Sequence, residues 1–108
     1  MVSVIPFIVM KTEAMGRGKS KDAYDIYFCL LYYPGGVREL AKEFLIYKDK
    51  PIIKKTCQKL SDKFASPEHA GPVDIVSFMD IEDKEEAELV RQDAYQRVKY
   101  LIDFLKDD

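Results

Sequence analysis

With 108 residues, 47% of them hydrophobic and 33% charged, the chain has the composition of one soluble globular domain, just large enough for a real core. A net charge of −2 at pH 7, without a lysine- or arginine-rich face, excludes a dedicated polyanion binder, so RNA binding by the chain alone is expected to be weak or absent. No apolar run approaches a bilayer span and the opening residues lack a basic n-region, so a cytoplasmic protein with no membrane contact is expected.

In chain order, Val2 and Val4 alternate with small or polar neighbours, and Pro6 stands where a first helical residue often does. This predicts a short extended N-terminal lead and a helix over about 7–15, ended in a turn by Gly16 and Gly18 around Arg17. A second helix is expected over about 21–33, stopped by Pro34-Gly35-Gly36. From Ile26 to Tyr33 it is almost wholly apolar or aromatic, which predicts burial nearly all round. A third, over about 37–47, places Val37, Leu40, Ala41 and Phe44 on one stripe, and a fourth begins near Asp49 and Pro51 with Ile53, Cys57, Leu60 and Phe64 on its stripe. Ser66 to Pro72 reads as a loop, and 73–79 as a short helix or a strand. Asp83, with Glu86 three residues on, resembles a capping-box variant that opens a last helix over about 84–105, striped by Ala87, Val90, Ala94, Val98, Leu101 and Leu105. The fold class is all-α: a single helical domain over 1–108, a small bundle of about five or six helices. Cys29 and Cys57 fall on apolar faces, which suits free buried thiols better than a disulfide or metal pair.

Charge concentrates at one place. Lys21-Asp22-Ala23-Tyr24-Asp25-Ile26 opens the most apolar helix, preceded by Lys11, Arg17 and Lys19. On one reading Ser20 caps this helix, Asp22 and Asp25 favour its dipole, and Lys21 pairs with Asp25 at i,i+4. On the other, Asp25 lies close enough to the buried stretch to need a cationic partner, and Lys11 and Arg17 are the nearest. Other chemistry is sparse. The lone histidine, His69, sits in a Pro/Gly loop and offers no triad or zinc site. Gly16-Arg17-Gly18-Lys19-Ser20 lacks the spacing and preceding strand of a phosphate loop. Asp80-Ile81-Glu82 reads as capping for the last helix, and Lys48, Lys50, Lys54 and Lys55 as a solvated helix start, so no metal site is expected in this chain.

Pro6-Phe7-Ile8-Val9-Met10-Lys11, then Arg17, then Lys21-Asp22-Ala23-Tyr24-Asp25-Ile26 resembles the later motifs of AbiEii/AbiGii-type nucleotidyltransferase toxins, the enzymatic side of toxin-antitoxin systems. In that family an apolar helix ends in lysine, an arginine follows, and a basic-Asp-x-x-Asp-Ile/Leu motif opens the next helix. The stretches Phe64 to Pro72 and Arg91 to Val98 also resemble the tail of such proteins. The resemblance implies that Lys11 contacts a nucleotide triphosphate, that Arg17 and Lys21 assist with phosphate or an RNA backbone, and that Asp22 supports the catalytic site while Asp25 orients the basic groups. It also implies a Gly-Ser or Gly-Gly turn before strand-borne Asp-x-Asp carboxylates holding two magnesium ions, and nothing before Lys11 supplies them.

The expectation is therefore a C-terminal helical part of a nucleotidyltransferase, inactive alone, with Mg2+ and NTP bound only when the complete core is present. Its partner is then an N-terminal nucleotidyltransferase half or a neighbouring protein. The alternative is a non-catalytic helical interaction module, possible as a homodimer, in which acids and bases satisfy one another.

Overall fold

A computed structural model describes residues 4–15 and 20–106. Six helices follow one another: α1 (Val4–Ala14), α2 (Ser20–Tyr32), α3 (Val37–Ile46), α4 (Pro51–Lys63), α5 (Ala70–Met79) and α6 (Lys84–Lys106). No strand occurs among the described residues, so the segment 73–79 is helical. The small all-α bundle read from periodicity is the observed architecture.

Two helices start three residues earlier than expected, and both carry a proline in the first turn. The first N–H groups of a helix have no intrahelical partner, so Pro6 in α1 and Pro72 in α5 remove no bond. Val4 is accordingly helical rather than extended, and Val2 lies outside the described residues. Pro51 opens α4 at its first position, after Lys50 in an extended conformation. Between α2 and α3 the chain reverses through Gly35 and Gly36 at φ 87° and 81°, a region that side chains with a Cβ rarely adopt.

The core is built from the expected stripes. Leu40, Ala41 and Phe44 of α3 are completely buried, as are Leu60 of α4 and Ala94 and Leu101 of α6. These meet Ile26 and Leu30 of α2 and Ile8 of α1 in one cluster. α2 packs along α5 and α1, while α6 closes against α3 and α5. Glu13 at the end of α1 reaches Lys55 at 3.5 Å and Lys59 at 3.2 Å on α4, so Lys55 of the second lysine cluster has an ionic partner while its side chain remains 62% exposed. The Lys59 hydrogen bond, with the two ammoniums' charge, holds the Glu13 carboxyl below its ordinary range.

At the head of α6, the Glu86 N–H donates to Asp83 Oδ2 at 3.0 Å. The predicted cap is therefore present. Replacing Asp83 by alanine should cost about 1 kcal/mol in a urea titration, with an unchanged slope. A neutral result would mean that the bond adds nothing beyond the helix's own packing.

Candidate functional site

The end of α1 and the start of α2 bring four of the five sequence-predicted residues together. Lys11 lies in the last turn of α1 and Asp22 in the first turn of α2, where cation and anion respectively suit the helix dipoles. Lys11 Nζ is 3.3 Å from Asp22 Oδ1 and 2.9 Å from Asp25 Oδ2. Lys21 Nζ meets the same Asp25 oxygen at 2.9 Å. Arg17, the fifth residue of the predicted set, lies outside the described residues.

Burial separates the members. The Lys11, Asp22 and Asp25 side chains retain 19%, 8% and 15% of their accessible surface, whereas Lys21 keeps 62%. Lys21 is thus the open edge of the cluster. Lys11 also lies 5.5 Å from the centroid of the Phe7 ring, within cation–π range. The hydrogen bond to Asp25, opposed by burial and reinforced by Asp22, holds the Lys11 ammonium above its ordinary value. For Asp25, burial pushes the carboxyl up, and the bonds from Lys21 and Lys11 outweigh it, leaving it below the ordinary range.

Part of the capping reading holds, since Asp22 stands in the first turn of α2 and Lys21 pairs with Asp25 at i,i+4, but the cluster also reaches across to α1. Ser20 is the first residue of α2, and Asp22 Oδ1 accepts from Lys11 across the interhelical gap. Asp22 Oδ2 is buried and has no hydrogen-bond partner among the described residues. An orphaned buried acceptor ordinarily costs about 1–3 kcal/mol, so it requires an explanation.

The cluster does not fit a magnesium site by itself. Two carboxylates share one lysine, and among the described residues no group of three or more His, Cys, Asp or Glu side chains could hold a metal ion. His69 is exposed, with Nδ1 2.7 Å from Ser66 Oγ. Cys29 and Cys57 are free and partly buried, and burial raises both thiols, which keeps them protonated.

A second polar contact was not foreseen. Tyr27 Oη donates to Asp93 Oδ2 at 2.6 Å, and Arg97 Nε donates to that same oxygen at 2.8 Å. Burial and the neighbouring carboxylate raise the Tyr27 phenol far above its ordinary range, so it remains the donor that ties α2 to α6. The i,i+4 spacing of Asp93 and Arg97 on one helix was a visible signal; the tyrosine 66 residues away was not.

α2 also departs from burial nearly all round. Phe28 is 48% exposed and Tyr32 67%, while Tyr24 is half-buried and Tyr27 buried. The outward rings contact one another along the helix. A groove of about 270 Å³ lies elsewhere, between α4 and the end of α6, lined by Ile53, Lys54, Cys57, Ile102, Leu105 and Lys106 among others, and includes no member of the Lys11 cluster. Comparison of the chain with protein-family models, curated proteins and solved structures finds no match.

Proposed function

We propose that this chain is a nucleotidyltransferase-type helical domain whose Lys11–Asp22–Asp25 cluster meets the polyphosphate of a nucleoside triphosphate, and that it is inactive alone. The observation that supports the reading is the gathering of the Lys11 and Lys21 ammoniums, with Asp22 and Asp25, where α1 ends and α2 begins. Lysine is a compact point charge suited to phosphate. Asp22 and Asp25 fix its position, and the exposed Lys21 extends positive charge to the solvent side. Asp-x-Asp chemistry and its magnesium ions belong to a core supplied by another part of a longer protein or by a separate chain. That core would transfer a nucleoside monophosphate to an RNA or protein acceptor.

Titration of the 15N-labelled chain with ATP tests this reading. Amide shifts are expected at the end of α1 and the start of α2, with a dissociation constant on the order of 1 mM, about −4 kcal/mol. Lys11→Ala should abolish them, and labelled NTP with Mg2+ should yield no transfer product. Absence of shifts in the wild type, or identical shifts in the variant, would leave an interaction module with internally satisfied charges.

A further inference from the structure

The seam between α4 and the second half of α6 is incompletely filled. The two helices run antiparallel there: Ile53 and Cys57 share the groove already described with Ile102 and Leu105, while Ser61 and Phe64 share a second depression with Val98 and Tyr95. The two spaces measure about 270 and 220 Å³ and meet at Ser61, Ile102 and Lys106, which line both. Cys57 and Ser61 stand one turn apart on α4, and these small side chains do not reach far enough to close the seam. The floor of the larger groove is apolar. Ile53 and Ile102 are 3% and 6% exposed and belong to the core, with Cys57 and Leu105 half-buried against it.

The rim of this groove is cationic. Lys54 stands in the first turn of α4 and Lys106 in the last turn of α6, and both are exposed. Among the described residues neither has an ion-pair partner, in contrast to Lys55 and Lys59 of the same α4, which Glu13 pairs. Lys48 lies on the lining as well, and Asp49 is its one carboxylate. From Lys54 to Ser61 the groove follows α4 for roughly 10 Å at ~1.5 Å per residue. A straight chain of about eight carbons spans that distance.

We infer that this groove binds a small amphipathic anion, its head between Lys54 and Lys106 and a straight aliphatic tail lying over Ile53, Cys57 and Ile102 toward Ser61. Burial of the tail supplies the affinity, and the ammoniums select the sign of the head. The groove contains no member of the Lys11 cluster, so the inference stands independently of the proposed function.

Octanoate titrated into the 15N-labelled chain tests it. Saturable amide shifts are expected at Ile53, Cys57, Ile102 and Leu105, with hexanoate binding about tenfold more weakly for its two missing methylenes. Octylammonium, which has the same tail and the opposite charge, should produce no saturable shift there. Reversing both rim charges with Lys54→Glu and Lys106→Glu should weaken octanoate at least about tenfold; both side chains are exposed, and a thermal melt establishes that the variant is folded. Bound octanoate should also slow alkylation of Cys57 by iodoacetamide, read by peptide mass mapping, and leave Cys29 on α2 unaffected. Absence of saturable shifts, or equal binding of octanoate and octylammonium, overturns the inference. Shifts in the groove from an acidic, leucine-containing peptide but not from octanoate assign it to a protein partner instead. Dimerisation of the wild type in sedimentation, lost on reversing the rim charges, assigns it to a second copy of the chain.

Discussion

Gly71→Ala is expected to lower the melting temperature by about 10 °C, although alanine is the better helix former. Gly71 is the second residue of α5, and a Cβ built there would stand 2.6 Å from Phe64 Cζ and 2.7 Å from Cε1. That is about 1 Å inside the favourable carbon–carbon separation. Phe64 is only 3% exposed and belongs to the core cluster, so its ring cannot swing away without opening a void. The propensity gain is at most ~1 kcal/mol, and smaller in a first turn, whereas overpacking costs about 1–3 kcal/mol or more. The overlap therefore wins by roughly 2 kcal/mol, which for a domain of this size corresponds to the stated shift. A double-mutant cycle isolates the cause. Phe64→Leu removes the ring edge, so adding Gly71→Ala to it should cost much less than in the wild type; strict additivity would place the damage elsewhere.

The elements most legible in the sequence were those whose apolar residues face one way. α6 is read almost to its ends because Ala87, Ala94, Val98 and Leu101 repeat with helical spacing and are all buried. α5 was ambiguous for a physical reason: Val73, Ile75 and Val76 are β-branched, and a short apolar run has no decisive period. The helix is completed by Ala70, Gly71 and Pro72, residues whose local signal is that of a loop.

α2 failed in the opposite sense. When nearly every position from Ile26 to Tyr33 is apolar, the pattern cannot say which side faces water, and the outward position of Phe28 and Tyr32 is decided by α1 and α5 covering the other sides. The ionic cluster was legible because Lys11 lies in the last turn of α1 and Asp22 in the first turn of α2, with Asp25 three residues on. What no local pattern contains is the buried Asp22 oxygen that has no hydrogen-bond partner among the described residues.

Lys11→Met is expected to lower the melting temperature by about 5–10 °C at neutral pH, far more than Lys21→Met. Methionine preserves much of the aliphatic stem, so the comparison reports the lost charge. Without Lys11, Asp22 and Asp25 remain mostly buried, and among the described residues only the exposed Lys21 ammonium is left on one of their oxygens. Lys21 is 62% exposed and water replaces most of what its removal takes away.

The pH dependence supplies the sign. The folded-state carboxyl of Asp25 lies below its ordinary value, so its stabilising contribution is present above the ordinary aspartate range and is lost as pH falls through the depressed folded value. Lys11 is shifted the other way: its contribution is complete below the ordinary lysine value of 10.5 and is lost only as pH rises through the raised folded value. Wild type and Lys11→Met should therefore differ most across the broad interval between those limits. Their melting temperatures should converge only as pH falls below the ordinary aspartate value of 3.8 and through the depressed folded value of Asp25, where protonation neutralises the carboxylate that needed the lysine. Adding Asp25→Asn to Lys11→Met should restore part of the lost stability, because the amide removes a buried charge that has lost its main partner. A gap between the two proteins that stays constant from pH 7 to pH 3 would show that Lys11 acts through its stem and its contact with Phe7 rather than through the charge shared with Asp22 and Asp25.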